Sequence, residues 1–153
     1  MSSASRALDE RLRRRLDALG DFAPTPLPKA AVLCPLLGPP SEPRVLFLVR
    51  PLTLRLHAGQ IGFPGGKRDG AETPLSTALR ECHEEIGVPA DAITVFGSLA
   101  PRRSSSGLDV HCIVGRFADV ELRPDPREVV QLLQVPLAEL RDPERWREAP
   151  PPG

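Results

Sequence analysis

The chain has 153 residues, with 20 basic side chains, 20 acidic side chains and a formal net charge of +0. This balance excludes a global electrostatic attraction to nucleic acid or to an anionic membrane, so phosphate recognition has to come from local basic groups. Hydrophobic residues make up 41% of the sequence, which favours one globular domain. No apolar run approaches the ~18 residues that a membrane span needs.

Three cysteines, Cys34, Cys82 and Cys112, lack CxxC spacing. An odd number of cysteines without a signal sequence is typical of reduced, intracellular thiols, so we expect a cytoplasmic protein.

The chain begins with a predicted amphipathic helix over residues 2–22, in which leucines recur at helical spacing between arginines. We interpret it as a helix packed on the domain. A mitochondrial targeting segment is the alternative, and its acidic residues argue against that. Prolines follow, so we expect an N-terminal helix and Pro-rich linker over 1–28, the main domain over 29–142 and a Pro-rich tail over 143–153.

Apolar runs of strand length lie on both sides of a central helical segment. Residues 29–37 and 44–50 flank a turn and predict a β-hairpin. Residues 93–99 and 110–117 predict two more strands, joined by a polar loop, and 127–133 a short helix or loop. The alternation predicts an α/β domain with an antiparallel or mixed sheet.

The central helix is predicted over Pro74–Ile86, with Thr73 as its N-cap, Pro74 in its first turn and Gly87 at its end. Apolar residues share one face, and three carboxylates share another. Like charges at this spacing repel, so they need a compensating positive charge, for which Mg²⁺ is the natural candidate. The alternative is a solvated acidic face. The apolar residues are Leu75, Ala78, Leu79, Cys82 and Ile86, and the carboxylates are Glu81, Glu84 and Glu85.

Glu72 lies in the loop before this helix, and Arg80 lies on the helix beside Glu81. We expect a salt bridge between Glu72 and Arg80 to fix the loop against the helix. Gly65 and Gly66 let the backbone approach a ligand closely.

The spacing of these residues resembles the Nudix box: Gly66, five residues, Glu72, seven residues, Arg80-Glu81, two residues, Glu84-Glu85, one residue, Gly87-Val88. The one departure is Cys82, where the family usually has an aliphatic residue. The resemblance implies a Nudix α/β/α sandwich with a mixed sheet. It also implies a diphosphatase that uses Mg²⁺ or Mn²⁺.

The resemblance assigns roles to the charged residues of the box. It implies catalytic roles for Glu84, Glu85, Glu81, Arg80 and Glu72. It implies metal binding by Glu81, Glu85 and Glu84, together with a main-chain carbonyl at Gly66. Glu84 is also a candidate general base, and Glu128 is a weaker candidate for which a surface glutamate is the alternative.

The segment before the box is similar to a Nudix subgroup, the coenzyme A (CoA) pyrophosphatases, with the pattern LLTxRSxxxRxxxGxxxFPGG. Arg50, Arg55, Gly59 and residues 63–66 match at the same spacing. This resemblance implies hydrolysis of the diphosphate linkage of CoA or its thioesters to adenosine 3′,5′-bisphosphate and a 4′-phosphopantetheine. The departures are Phe47, Leu48 and Pro51.

The same resemblance implies that Arg50 and Arg55 contact phosphate and that Phe63 packs on the turn, with Gly65 and Lys67 beside the substrate. Surface charges at a strand end are the alternative for both arginines. The loop of residues 101–109, which has two arginines and three serines, could meet a 3′-phosphate or be a solvated hairpin loop.

Other functions stay open at this point. The chain could hydrolyse another nucleoside diphosphate derivative, such as ADP-ribose or a dinucleotide, or bind a ligand without turnover. The subgroup continues beyond the segment that 135–137 resembles, so we expect its C-terminal strand and helix to be missing here. A missing strand leaves an exposed sheet edge, so we expect a homodimer, which light scattering would test.

Overall fold

The computed structural model describes residues 3–16 and 29–148. The helices are α1 (Ser3–Arg15), α2 (Pro74–Ile86) and α3 (Leu137–Leu140), with 3₁₀ turns at Ala90–Ala92 and Pro143–Arg145. The strands are β1 (Ala30–Leu37), β2 (Arg44–Val49), β3 (Ile61–Gly62), β4 (Gly65–Lys67), β5 (Ile93–Arg103), β6 (Asp109–Phe117) and β7 (Gln131–Pro136).

These strands form one mixed sheet. Its path is β3-β2-β1-β6-β5, with β4 paired to β1 and β7 paired to β2. The β1–β6 pair is parallel, and the other pairs are antiparallel. The predicted hairpin is confirmed, because Leu36 pairs with Val45 and Leu37 pairs with Arg44.

The two faces of the sheet carry separate cores, because alternate residues of a strand point to opposite faces. Helix α2 covers one face, where Cys82 and Ile86 pack with Leu33 and Leu46. Helices α1 and α3 contribute residues to the core on the other face, around Phe96. The predicted α/β/α sandwich with a mixed sheet is therefore confirmed.

The N-terminal helix packs on the sheet, as the leucine pattern indicated. Leu12 and Leu16 lie against the core around Phe96. Asp9 of α1 accepts a hydrogen bond of 2.7 Å from the Arg116 guanidinium of β6, and both side chains are largely buried. Residues 17–22 of the predicted helix and the prolines after them lie outside the described residues.

The prediction for 127–133 was wrong in its second half. Residues 131–133 belong to β7, because the free edge of β2 pairs with the whole of Gln131–Pro136. The hairpin between β5 and β6 is also longer than predicted, since its ladder reaches Arg103 and Asp109 across two irregularities in register. Among residues 3–16 and 29–148, no helix has the length and apolar character needed to cross a bilayer.

Candidate active site

Local sequence signals fix both ends of α2. Ser76 N donates to Thr73 Oγ1 at 3.2 Å, and Thr73 N donates to Ser76 Oγ at 2.9 Å, which forms a reciprocal capping box. Gly87 ends the helix with a φ of 73°, in the left-handed region that favours glycine. The helix therefore begins and ends where the sequence predicted, and its acidic face is held at fixed positions.

Arg80 forms hydrogen bonds with several groups on and around the acidic face of α2. Its Nε donates to Glu72 Oε1 at 2.7 Å, and its Nη2 donates to Glu72 Oε2 and to the Lys67 carbonyl, both at 3.1 Å. Its Nη1 donates to Glu81 Oε1 at 3.0 Å and to Glu84 Oε2 at 3.1 Å. The predicted Glu72–Arg80 salt bridge is therefore confirmed, and one guanidinium joins the loop, the β4 backbone and the helix.

Hydrogen bonding to Arg80 lowers the pKa of Glu72 to about 2. Asp69 N and Thr77 Oγ1 also donate to this carboxylate, at 3.0 Å and 2.9 Å. Glu72 is therefore a fully engaged anion that holds the loop and Arg80 in place.

Glu85 is the buried member of the acidic face, with 1% of the residue exposed. The backbone amide of Gly65 donates to its Oε1 at 2.8 Å, and Nη1 of Arg50 lies 3.9 Å from its Oε2. Burial raises the pKa of Glu85 from 4.5 to about 8, and these two partners only partly offset that effect. A solvated acidic face is therefore excluded for this residue.

Glu81 lies directly against the glycine pair Gly65-Gly66, which belongs to strand β4. A Cβ atom added to Gly66 would lie 2.5 Å from Glu81 Oε1, so only glycine leaves room for this carboxylate. Burial raises the pKa of Glu81 as well, against the lowering effect of Arg80. The glycine pair of β4 and the helix thus form one compact acidic group.

Glu128 comes to this acidic group from the segment that follows β6. Arg123 N donates to the Ile86 carbonyl, and Asp125 N donates to the Glu85 carbonyl, both at 2.8 Å. Val130 N then donates to the Val49 carbonyl at 2.9 Å. These bonds fasten the segment to the last turn of α2 and to the end of β2, which places Glu128 beside the helix.

Glu81, Glu85 and Glu128 can each offer one oxygen such that all three atoms lie within 4.8 Å of one another. Carboxylate oxygens are the ligands that Mg²⁺ and Mn²⁺ prefer. The close approach of Glu81 to Gly66 and the burial of Glu85 are consistent with a divalent cation offsetting their charges. The residues present therefore fit a divalent metal ion.

A cavity of about 560 Å³ opens beside the acidic group. Its walls combine charged and apolar side chains. Phe63 is stacked on Phe47 with ring centroids 5.0 Å apart, which fixes one apolar wall. The lining includes Arg50, Lys67, Glu81, Glu84 and Glu128, with Leu56, Ile61, Phe63, Val110 and Ser104, Ser105 and Ser106.

Most of the residues predicted for the site line this cavity, including Gly65 and Gly66. Four predicted residues do not line it: Glu72, Arg80 and Glu85 lie on α2 or in the loop before it, and Arg55 is exposed in the loop before β3. Glu84 lines the cavity, but it lies outside the group formed by Glu81, Glu85 and Glu128 and pairs with Arg80 instead.

The sequence reasoning missed Glu128 as a metal-ligand candidate and named it only as a weaker base. No local pattern marks it, since its place depends on hydrogen bonds to distant elements. The serine turn at 104–106 was noted as a polar loop, and the structure places it on the cavity wall.

This three-layer fold, with a glycine pair facing a capped acidic helix, is the architecture of a Nudix domain. The chain belongs to the Nudix family, because the family model for the NUDIX domain matches residues 27–152.

Relatives named as uncharacterized Nudix hydrolase NudL resemble the chain closely. The protein of Yersinia enterocolitica is 47% identical over 112 residues, which cover 72% of this chain and 57% of that protein. The protein of Yersinia pestis is 47% identical over 113 residues, which cover 72% and 56%. The chain thus spans little more than half the length of these relatives.

Solved structures share the fold. A Nudix hydrolase from M. smegmatis, RenU, has 27% identity and a TM-score of 0.60, covering 72% of this chain and 71% of that one. A C. elegans Ap4A hydrolase in a binary complex has 17% identity and a TM-score of 0.63, covering 72% and 81%. The NUDIX domain of Shewanella oneidensis NrtR, complexed with ADP ribose, has 19% identity and a TM-score of 0.56, covering 80% and 82%.

Proposed function

We propose that the chain hydrolyses the diphosphate linkage of CoA or its thioesters with the help of Mg²⁺ or Mn²⁺. The observation that carries the hydrolase proposal is the meeting of Glu81, Glu85 and Glu128 within 4.8 Å at the edge of a cavity of about 560 Å³. A volume of this size lies in the usual range for small-molecule sites, roughly 300–1,000 Å³.

Glu81, Glu85 and Glu128 would hold the metal ion. When bound, the ion supplies positive charge for the diphosphate oxygens and lowers the pKa of a coordinated water. Arg80 keeps Glu81 and Glu84 oriented, while Glu72 holds Arg80. Arg50 and Lys67 supply the cavity with cationic groups that suit phosphate oxygens.

Glu84 is our proposed general base. Its side chain is 52% exposed, it lines the cavity, and it lies outside the group of the three metal-ligand candidates. A water positioned against it would lose its proton to this carboxylate as the oxygen attacks phosphorus. Hydrolysis then breaks the phosphorus–oxygen bond of the linkage, and the other phosphate leaves with the electron pair.

CoA as substrate is supported by the segment that leads into the cavity. Arg50 and Phe63 are motif positions of the CoA pyrophosphatases, and both line the cavity. Apolar side chains such as Ile61 and Leu56 lie beside them and suit a pantetheine arm. Arg55 is also a motif position, but its exposed side chain would have to turn inward to reach a substrate.

A panel of diphosphates, with and without Mg²⁺ or Mn²⁺ and with products identified by mass, tests this proposal. We expect metal-dependent cleavage, with CoA cleaved more efficiently than dephospho-CoA and ADP-ribose. One charge-assisted phosphate contact contributes roughly 1.5–3 kcal/mol, or about 10- to 150-fold in kcat/KM. Efficient cleavage of ADP-ribose with none of CoA would overturn the substrate assignment, and no cleavage of any diphosphate would overturn the hydrolase assignment.

Arg55→Ala separates the two possible roles of that arginine. If Arg55 contacts a group that is specific to CoA, the variant should reduce the difference in kcat/KM between CoA and ADP-ribose. An equal loss on both substrates would mean that Arg55 serves only the shared diphosphate, and unchanged rates on both would mean that it stays at the surface.

A further inference from the structure

The two carboxylate oxygens of Glu85 face different partners. Oε1 accepts the hydrogen bond from Gly65 N at 2.8 Å, whereas Oε2 lies 3.9 Å from Nη1 of Arg50. Oε2 accepts no hydrogen bond from residues 3–16 and 29–148. Oε2 is therefore the oxygen that a metal ion would use with the least competition from the backbone, and it is the oxygen that Arg50 approaches.

The backbone of Arg50 is held by hydrogen bonds, whereas its guanidinium is only loosely paired. Arg50 N donates to the Gln60 carbonyl at 3.0 Å, and Gly59 N donates to the Arg50 carbonyl at 3.1 Å. The Nε atom is buried and has no hydrogen-bond partner among the described residues. A separation of 3.9 Å at Nη1 is an ion pair but too long for a hydrogen bond.

The charges around Glu85 explain this position of Arg50. Glu81 and Glu84 both pair with Arg80, while in the described part of the chain Arg50 is the cationic side chain within 4.0 Å of Glu85. A buried carboxylate close to other carboxylates needs a counter-charge, and this guanidinium provides it. A divalent cation at Oε2 would provide the same compensation more strongly, and two cations near one oxygen repel each other.

We propose that Arg50 and the metal ion compete for Oε2 of Glu85, so that metal binding displaces the guanidinium toward a substrate phosphate. The inference rests on the proposed function, because it takes the acidic group as a metal site. Arg50 then weakens metal binding while the cavity holds no phosphate. A bound diphosphate removes that competition, so phosphate and metal each strengthen the binding of the other by the same factor.

The test is Mn²⁺ binding to the full chain without substrate, measured by electron paramagnetic resonance of free Mn²⁺ and by calorimetry. Arg50→Gln removes the competing charge, so we expect the Kd for Mn²⁺ to fall by roughly five- to tenfold. Arg50→Lys keeps the charge and should bind Mn²⁺ nearly as the wild type does. Arg141→Gln, at an exposed position outside the cavity lining, makes the same change in net charge and should leave the Kd unchanged.

A second measurement repeats the Mn²⁺ titrations with saturating methylenediphosphonate, a diphosphate analogue that resists hydrolysis. In the wild type the analogue should tighten Mn²⁺ binding by a larger factor than in Arg50→Gln. If Arg50 only holds Glu85 in place, its removal will instead weaken Mn²⁺ binding. If it only contacts phosphate, the Kd without the analogue will stay the same.

Either of the last two results overturns the proposal. A wild-type chain that binds no Mn²⁺ overturns the metal site itself, and with it the proposed function. Failure of the proposed competition is therefore distinguishable from failure of the proposed function. Circular dichroism checks that each variant is folded. If Arg50→Gln is unfolded, Arg50→Met carries the same expectation, and failure of both to fold assigns Arg50 a purely structural role.

Discussion

Gly65 N and Glu85 Oε1 are joined by a hydrogen bond of 2.8 Å that ties the start of β4 to the last turn of α2. The bond reaches a carboxylate whose side chain is 2% exposed. One backbone donor does not replace the lost hydration of a buried charge, so the pKa of Glu85 is raised to about 8. Ionising Glu85 therefore destabilises the folded chain unless a bound cation compensates the charge.

Replacing that charge should separate stability from metal binding. Glu85→Gln keeps the shape and an acceptor for Gly65 N, but removes the buried charge. We expect turnover to fall by orders of magnitude and Mn²⁺ binding to weaken, because a proposed metal ligand is lost. Without metal, we expect the free energy of unfolding at pH 8 to rise by about 1–2 kcal/mol.

Chemical denaturation without metal measures the stability, and calorimetry measures Mn²⁺ binding. The matched control is Glu84→Gln, since Glu84 is the neighbouring residue on α2 but is 52% exposed and pairs with Arg80. Its free energy of unfolding should change little. Near-normal turnover in Glu85→Gln would mean that the metal-site assignment is wrong.

The raised pKa of Glu85 predicts how stability depends on pH. The folded chain holds the Glu85 proton more tightly than the unfolded chain, whose carboxyl has its ordinary pKa of 4.5. The stability that the folded chain gains from this bound proton is therefore fully present below pH 4.5 and is lost as the pH rises to about 8. The lowered pKa of Glu72 has the opposite effect at lower pH. Its contribution to stability is present above pH 4.5 and is lost as the pH falls to about 2.

Unfolding curves of wild type and Glu85→Gln across this range isolate the effect. We expect the variant to gain relative stability as the pH rises, by about 1–3 kcal/mol in total. Saturating Mg²⁺ should reduce or reverse that gain, since the metal ion stabilises the ionised form in the wild type. A constant difference at all pH values would contradict the raised pKa.

The close approach of Glu81 to Gly66 makes a steric prediction. In Gly66→Ala the new Cβ would lie 2.5 Å from Glu81 Oε1, so the carboxylate has to move away from β4. A displacement near 1 Å in such a site costs on the order of 100-fold in activity, so we expect that loss in kcat/KM together with weaker Mn²⁺ binding. The fold itself should persist, because the carboxylate is the far end of a flexible side chain.

Gly62→Ala is the control for this substitution. Gly62 lies in β3, just before β4, but nothing lies within 4 Å of the position its Cβ would take. We expect Mn²⁺ affinity close to that of the wild type. Equal effects of the two substitutions on Mn²⁺ affinity would show that the contact between Gly66 and Glu81 has no special role.

Cys82 should behave as a core residue. It is 0% exposed, it packs with the helix stripe against the sheet, and burial raises its pKa to about 12. A thiol with this pKa has almost no reactive thiolate at neutral pH. We expect slow labelling by thiol reagents in the folded chain, and we expect Cys82→Ala to retain activity with about 1–2 kcal/mol less stability.

Labelling rates of the wild type and of Cys82→Ala, followed by mass spectrometry, check this prediction. Cys34 and Cys112 are the other free thiols, and burial raises their pKa values also, to about 12 and about 11. Rapid labelling of Cys82 with loss of activity would point instead to a catalytic or redox thiol.

Several parts of the site could be predicted from the sequence because they depend on neighbours along the chain. Thr73 caps the start of α2 through hydrogen bonds with Ser76, and Gly87 ends the helix through its left-handed backbone conformation. Both signals are local to α2. Glu72 and Arg80 meet because a short loop returns to the first turns of the same helix. The family pattern records these local relationships, which is why the box and its salt bridge were found without a structure.

The sequence by itself therefore determined the capped acidic helix, its apolar stripe and the Nudix family. Only the tertiary structure decided that Glu85 is buried, that Glu128 joins it and that Arg50 faces its second oxygen. These relationships depend on the sheet register and on the bonds that tie the segment after β6 to α2 and β2. A helical pattern gives the direction of a side chain around its own axis, whereas burial and charge pairing depend on distant elements that pack against it.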